Sequence, residues 1–135
     1  MIYLFDTNMI SDLIRNQAKV RERYSSIQST DRVCTSAVVF GEVYFGLRRL
    51  PEGKRREVLF LQAEAVFANL VVQPISKEIA SVFAEVKCAC EQVGIGVENN
   101  DCWIAATARS LQATLVSRDT DMLRVPGLTV VDWSA

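Results

Sequence analysis

No histidine occurs anywhere in this chain of 135 residues. Its absence excludes the Ser-His-Asp and Cys-His catalytic arrangements, zinc sites that mix cysteine with histidine, and histidine-based acid/base chemistry near neutral pH. An enzyme with this sequence must use other groups, of which carboxylates are the most abundant. The missing histidine restricts the chemistry more than any other feature of the composition.

The chain also lacks an excess of positive charge and a long apolar run. Its formal net charge is −1, so a polyanionic partner has to be held by a local basic patch or through bound cations. No apolar run approaches the roughly 20 residues of a membrane-spanning helix. The N-terminal MIYLFDTN has no basic segment and too short an apolar stretch for a signal peptide. The sequence therefore predicts a cytoplasmic protein without membrane association.

Cysteine is present but not in a pattern that indicates a metal site or disulfides. The only close pair, Cys88 and Cys90, lies in a helical pattern at a spacing of two, which points the side chains apart. Cys34 and Cys102 stand alone, so the paired spacing of an all-cysteine zinc site is missing. We interpret all four cysteines as reduced thiols.

The hydrophobic pattern predicts an α/β fold. Half of the residues are hydrophobic and 23% are charged, as in globular proteins, and the length is that of one ordinary domain. Helical apolar spacing separates five short apolar runs, at residues 2–5, 33–35, 70–73, 114–117 and 128–131. This alternation predicts right-handed crossovers and a mainly parallel, about five-stranded sheet with helices on both faces, a Rossmann-like three-layer α/β/α domain spanning residues 1–135.

Four carboxylates stand where such a fold brings distant segments together. Asp6 follows the first strand and Asp119 follows the fourth. Glu42 lies in the helix after the second strand, and Asp101 lies at the start of the helix that leads into the fourth. The reactive crevice of an open α/β sheet lies beyond the carboxyl ends of its strands. We therefore expect all four side chains to face one crevice.

A cluster of carboxylates indicates a divalent cation. Like charges at close range raise one another's pKa or repel, and a hard dication relieves that cost and prefers oxygen ligands. The sequence thus predicts Mg²⁺ or Mn²⁺, which activates water and stabilises the leaving oxygen of a phosphodiester. Hydrolysis of a phosphodiester without histidine fits this arrangement.

Each acid also has a purely structural interpretation. The segment at Asp6 and the residue Asp101 stand where helix N-caps are expected. An isolated Glu42 in a helix is more often a surface charge, and Asp119 and Asp121 are common turn residues. The residue types leave these alternatives open, and the shared location at one end of the sheet favours a functional site.

Three segments carry a resemblance to a known family. They are LFDTN at residues 4–8, NNDCWIAATA at 99–108, and LVSRDTD at 115–121 followed by VPGL at 125–128. In this order and spacing they resemble PIN-domain proteins, most closely the VapC-type toxins of bacterial toxin–antitoxin pairs, over essentially the whole chain.

The resemblance implies a fold, an activity and partners. It implies a PIN-like domain and a Mg²⁺- or Mn²⁺-dependent endoribonuclease that cuts RNA, often tRNA or another structured RNA. It also implies a small cognate antitoxin, VapB-like, that covers the active site, and frequent homodimerisation.

The resemblance also assigns roles to the acids. Asp6, Glu42 and Asp101 match the first, second and third acids of the family. For the fourth, Asp119 and Asp121 both lie in the matching segment, and we favour Asp119. Asp6, Asp101 and Asp119 are then the metal ligands, with Glu42 as the further catalytic acid.

The neighbouring polar residues are assigned by the same comparison. Asn8 and Ser117 match positions that support and orient the carboxylates, and Asp121 joins this supporting or substrate-binding group. Relatives commonly have Phe after the later acid, whereas Met122 follows Asp121 here, so the match is weakest at this point. Arg118, next to the proposed site, is a candidate phosphate contact.

Two further groups of residues have two interpretations each. The densest basic stretch surrounds the turn at Pro51 and is either a phosphate-positioning patch or a solvated helix end. It comprises Arg48, Arg49, Lys54, Arg55 and Arg56. The aromatic residues of the same region belong either to the core or to an exposed groove for a partner. They are Tyr44, Phe45, Phe60 and Phe67.

Other functions compete with the nuclease. A catalytically silent PIN scaffold that only binds a partner is one alternative. A phosphatase with Asp6 as its nucleophile is another, although position 8 is Asn where that class has a second Asp. A phospho-acceptor receiver domain requires an acceptor Asp after strand three, where this chain has Gln73 and Pro74.

Overall fold

A computed structural model describes all 135 residues, from Met1 to Ala135. Five strands form one sheet in the order β3-β2-β1-β4-β5, and every neighbouring pair is parallel. The strands are β1 (Ile2–Phe5), β2 (Arg32–Ser36), β3 (Val71–Gln73), β4 (Thr114–Val116) and β5 (Val130–Val131). The predicted α/β class with a parallel five-stranded sheet is confirmed.

Six α-helices and one short 3-10 helix connect the strands. The α-helices are α1 (Thr7–Ile14), α2 (Ala18–Ser25), α3 (Ala37–Arg48), α4 (Lys54–Ala68), α5 (Lys77–Gln92) and α6 (Asn99–Ser110). The 3-10 helix (Thr120–Arg124) follows β4. The chain runs outward from β1 through β2 to β3 and then returns to β4 on the other side of β1. The carboxyl ends of β1 and β4 therefore flank the point where the strand order reverses, which is where ligands bind in this kind of sheet.

The core surrounds the central strand. Leu4 and Phe5, which point to opposite faces of β1, are both fully buried. Strands buried on both faces read as continuous apolar runs, which explains the unbroken IYLF sequence of β1. The buried end of this strand fixes the position of the residue that follows it.

Local capping signals set several helix ends as expected. Ser36 caps α3, because its hydroxyl accepts a hydrogen bond from the Val39 N–H at 3.2 Å. Gly94 follows the end of α5 with φ of 74°, a left-handed conformation that glycine adopts without steric cost. These interactions depend on near neighbours in the sequence, so the pattern of residues was sufficient to predict them.

The sequence-based boundaries were wrong in three places. Helix α6 begins at Asn99, so Asp101 lies in its first turn and is not its cap. Strand β5 comprises only Val130 and Val131, because Leu128 instead donates to the Val125 carbonyl in a turn. The 3-10 helix after β4 was not predicted.

Two compositional expectations can be compared with the structure. All four cysteines are free thiols, three of them buried and Cys88 exposed, as predicted. None of the helices combines the length and the apolar character needed to cross a membrane.

Candidate active site

Asp6 is fixed at the carboxyl end of the central strand. Its own N–H donates to the Val116 carbonyl of β4 at 3.2 Å, which continues the strand pairing by one residue. Its Oδ1 atom accepts a hydrogen bond from the Met9 N–H at 2.9 Å and so caps α1. The residue as a whole is only 5% exposed. The structural interpretation of Asp6 as a cap is therefore correct, and it does not exclude a functional role.

The surroundings of Asp6 include both cations and acids. Burial raises the pKa of this carboxyl above its ordinary value, while hydrogen bonds from Ser117 and Met9 and the positive charge of Arg118 act in the opposite direction. The negative charge of Asp119 raises the pKa further. A buried carboxylate beside another acid is a favourable location for a cation.

Asp101 provides the clearest evidence that the acids converge. Its pKa is raised to about 6 by burial and then by negative charge nearby. In decreasing order of effect, the acids responsible are Asp119, Glu42, Glu98 and Asp6. The other three predicted acids thus all act on Asp101, although they come from β1, α3 and the segment after β4. Glu98, which directly precedes α6, is an acid of this group that sequence reasoning missed.

Glu42 is held by two donors from other elements. The Thr7 hydroxyl of α1 donates to its Oε1 atom at 2.6 Å, and the Asn100 amide of α6 donates to its Oε2 atom at 3.2 Å. Both oxygens are thereby oriented, which is unlike the behaviour of a solvated surface charge. Sequence reasoning missed Thr7 and Asn100, although both lie within the segments that carry the family resemblance.

The structure shows no hydrogen bond between the Asn8 side chain and the acids that it is predicted to support. Its side chain is exposed and makes no hydrogen bond in the structure. The first turn of α1 directs Thr7, one position earlier, toward Glu42 on α3. The supporting role of Asn8 therefore stays a prediction, and Thr7 is the residue with a direct contact.

The segment after β4 distinguishes the two candidates for the fourth acid. Asp119 is half-buried; its N–H donates a hydrogen bond to Ser117 Oγ at 3.0 Å, and its Oδ1 atom accepts one from the Asp121 N–H at 2.9 Å. Its charge raises the pKa of both Asp6 and Asp101. Asp121 is exposed and acts on neither. The geometry favours Asp119.

Arg118 is paired with an acid that the sequence did not indicate. Its guanidinium forms an ion pair with Asp12 of α1, and its charge also acts on Asp6. The side chain of Arg118 therefore contacts α1, whereas its backbone lies in the segment after β4, directly before Asp119. A contact of Arg118 with phosphate stays a prediction.

The four acids form a set of oxygen donors of the kind that binds hard dications. They do not meet as a closed group of three or more ligands in this structure. Their mutual effects on the pKa of Asp101 nevertheless place them around one region. The chemistry of the donor set and its excess of negative charge both fit Mg²⁺ or Mn²⁺.

Two hollows open on either side of Glu42. The larger, with a volume of about 600 Å³, is lined by Glu42, Thr7, Asn100, Gly41 and Phe45, among others. The smaller, of about 220 Å³, runs between α1 and α3 and is also lined by Glu42 and Thr7. Glu42 therefore forms part of the wall of a cleft that is open to a substrate.

The fold and this acidic end of the sheet define a nuclease-like α/β domain, and comparison with known proteins identifies its family. The PIN domain family model matches residues 3–128. The chain therefore belongs to the PIN domain family.

Individual relatives narrow the comparison further. The chain is 29% identical to Ribonuclease VapC1 of Haemophilus influenzae over 140 residues, covering 99% of each chain. It is 30% identical to toxin FitB of Neisseria gonorrhoeae over 122 residues, covering 87% of each. The crystal structure of VapBC-1 from nontypeable Haemophilus influenzae superposes with a TM-score of 0.86 at 27% identity and full coverage of both chains. The resemblance to VapC-type PIN toxins is confirmed.

Proposed function

We propose that this protein is the toxin of a toxin–antitoxin pair and that it hydrolyses RNA phosphodiester bonds in a reaction that depends on Mg²⁺ or Mn²⁺. The observation that carries this proposal is that Asp119, Glu42 and Asp6 lie close enough to Asp101 for their negative charges to add to the effect of burial, which together raise its pKa to about 6. A related protein is named a ribonuclease and another is named a toxin, which supports both parts of the proposal.

The residues divide the reaction between them. Asp6, Asp101 and Asp119 would hold the cation, which would supply positive charge to the phosphodiester and lower the pKa of water. Glu42, oriented by Thr7 and Asn100, accepts the proton of the attacking water. This order of roles needs no histidine, in agreement with the composition.

The substrate and partners follow from the same proposal. An RNA substrate, tRNA or another structured RNA, would place the protein in the cytoplasm. A VapBC complex is among the solved relatives, which supports a small VapB-like antitoxin as the partner that covers the acidic cleft. A homodimer is the expected oligomeric state, and its mass in solution is measured directly by light scattering.

Metal-dependent cleavage of RNA by the purified protein tests the activity. Freed of any antitoxin, the protein is expected to cut RNA with Mg²⁺ or Mn²⁺ and not with EDTA. Asp6→Asn and Asp101→Asn should each reduce the rate by more than about 100-fold, because even residues that only orient metal ligands cost about 10- to 100-fold. Glu91→Gln, an exposed acid of α5, is the matched control and should retain full activity.

Growth of cells that express the protein tests the toxin role. Induction of the wild type should arrest growth, whereas induction of Asp6→Ala should not. A folded, metal-supplied protein that cuts no RNA and binds no divalent cation would instead indicate the silent scaffold.

A further inference from the structure

Positive charge is concentrated where α3 ends and α4 begins. Arg48 and Arg49 end α3, and Arg56 lies in the first part of α4. None of the three forms an ion pair with a carboxylate in the structure, where the only ion pairs are Met1 with Asp31 and Arg118 with Asp12. Guanidinium groups that lack an acidic partner are available to phosphate.

Each of these arginines lies over an aromatic ring. The Arg49 guanidinium carbon is 5.3 Å from the centre of the Phe45 ring. Arg48 and Arg56 lie 5.8 Å and 5.4 Å from the Phe60 ring. Alternating arginines and aromatic rings are the combination that binds single-stranded nucleic acid, since bases stack on the rings and phosphates contact the cations.

The aromatic residues of this region are not equivalent. Tyr44 and Phe67 stack on each other with centroids 5.7 Å apart, and Phe67 is buried, so both belong to the packing between α3 and α4. Phe60 is half-buried against Tyr44. Phe45 is 63% exposed even though Arg49 lies over its ring, so of these rings it is the most accessible to a ligand.

A single stripe of α3 connects Phe45 to the acidic cleft. Glu42, Phe45 and Arg49 recur at spacings of three and four residues, so they lie on one face of the helix. The hollow of about 600 Å³ lies between Glu42 and Phe45, within the range of about 300 to 1,000 Å³ that is usual for ligand sites. Gly41 leaves this part of the helix without a side chain, and an added Cβ there meets no atom within 4 Å.

A third hollow, of about 590 Å³, lies where α3 ends and α4 begins. Arg48, Arg56 and Phe60 line it, together with Leu61. Glu52 and Glu57 also line it and oppose phosphate there. The phosphate-binding character is therefore strongest near Arg49, and Phe45 is the main stacking position.

We propose that Phe45 and Arg49 form a binding site for single-stranded RNA, which leads an unpaired nucleotide into the cleft at Glu42. This inference rests on the proposed nuclease function and specifies its substrate as RNA that is unpaired next to the cut. A base stacks on the Phe45 ring, the Arg49 guanidinium contacts the adjoining phosphate, and the hollow over Gly41 receives the neighbouring nucleotide. Double-stranded RNA does not fit this site, because its bases stay stacked on each other.

Binding of a short RNA tests the site separately from cleavage. The probe is a fluorescein-labelled RNA of ten nucleotides without self-complementarity, offered as a single strand or as a duplex, to the full chain carrying Asp101→Asn with Mg²⁺ present. We expect the single strand to bind and the duplex to bind much more weakly. Phe45→Ala should weaken single-strand binding by about 5- to 150-fold, the usual effect of removing one stacked base, while Phe45→Trp should retain it. Val93→Ala, a comparably exposed apolar residue at the end of α5, should have no effect.

Two further variants examine the cation and the hollow. Arg49→Gln should reduce the slope of log affinity against log salt concentration by about 0.7, the value for one phosphate contact of a single strand. Gly41→Gln should obstruct the hollow and weaken binding, whereas Gly41→Ala should weaken it less, because its single methyl group fills less of the hollow and meets no protein atom within 4 Å. Both glycine substitutions favour the helix, so loss of folding is not expected to explain the result.

The outcomes separate this inference from the proposed function. If Phe45→Ala binds the single strand as tightly as its parent, or if duplex and single strand bind equally, the site is wrong. If Phe45→Ala in the otherwise wild-type chain retains cleavage with unchanged kcat/KM, the nuclease function is supported and the proposed RNA-binding site is wrong. If the wild type cuts no RNA but its binding of the single strand depends on Phe45, the RNA-binding site is supported and the nuclease function is wrong. A Phe45→Ala variant that alters dimer mass or antitoxin binding but not RNA binding marks this face as a protein interface and overturns the proposal.

Discussion

At the scale of single residues, the site depends on contacts between side chains that are far apart in the sequence. Thr7 donates to Glu42 across 35 positions, and Asn100 donates to the same carboxylate across 58. The acids themselves were predictable, because each follows a strand or lies at a recognisable place in a helix. Their donors were not, since the face that α1 presents to α3 is decided by packing and not by residue type. This is why Asn8 was selected from the sequence and Thr7 was not.

The two donors to Glu42 should affect the reaction and not the fold. Thr7→Val removes one oriented hydrogen bond from Glu42, the carboxylate that we propose as the proton acceptor, so we expect kcat to fall about 10- to 100-fold, as for other residues that orient catalytic groups. Thr7→Ser keeps the hydroxyl and should retain most of the activity. Thr30→Val, the same change at an exposed threonine outside the proposed site, is the control. Equal kcat for Thr7→Val and the wild type would show that this hydrogen bond is dispensable.

The fourth acid can be assigned by comparing two neighbours of the same type. Asp119→Asn should abolish RNA cleavage, because Asp119 is the acid that acts on both Asp6 and Asp101. Asp121→Asn should leave cleavage within a few-fold of the wild type, since Asp121 is exposed and acts on neither. The measurement is the initial rate with saturating Mg²⁺. The reverse result would move the metal site to Asp121.

At the scale of elements, local signals were sufficient where a segment's structure depends on its near neighbours. The run of apolar residues in β1 and the capping of α1 by Asp6 were both visible in the sequence. The start of α6 was not, because Glu98 at its N-cap makes no side-chain hydrogen bond and gives no capping signal. The short β5 lies at the edge of the sheet and pairs only with β4. Because the paired segment is short, the apolar run at residues 128–131 overestimated the length of this strand.

The placement of Asp101 in the first turn of α6 has a consequence for stability. Its pKa is raised from 3.8 to about 6 in the folded protein, so the folded state binds a proton more tightly than the unfolded state does. Stability contributed by this group is therefore greatest below about pH 4 and decreases as the pH rises through 6. Asp6, whose pKa is also raised, changes stability in the same direction.

Urea unfolding in EDTA at several pH values measures this effect. From pH 4.5 to pH 7 the contribution of Asp101 should be lost, so the wild type should lose more stability over this interval than Asp101→Asn does. The asparagine variant is uncharged throughout, and its remaining pH dependence reports the other groups. Identical pH profiles for the two proteins would contradict the raised pKa of Asp101.

At the scale of the whole molecule, repulsion among the acids at the end of the sheet lowers the stability of the fold, and burial of the hydrophobic core has to offset it. The fully buried residues of β1 directly precede Asp6, so the core holds this acid in place. A cation that binds only the folded state relieves this repulsion and adds stability by mass action. If the proposed metal binds at these acids, its binding and the resistance of the protein to unfolding should therefore be coupled, independently of any catalysis.

Thermal unfolding with and without metal tests this coupling. At a concentration one hundred times its Kd, a ligand of the folded state contributes about 2.7 kcal/mol, which corresponds to a rise in Tm of roughly 10 °C for a domain of this size. Mg²⁺ or Mn²⁺ should therefore raise the Tm of the wild type, and the rise should be much smaller for Asp101→Asn. In EDTA at pH 7, by contrast, we expect Asp101→Asn to be the more stable of the two proteins. The metal thus reverses the order of stability only if the acids share one cation. A rise in Tm of the same size in both proteins would mean that the ion binds elsewhere, and the absence of any rise in the wild type would remove the physical basis for a metal-dependent reaction at this end of the sheet.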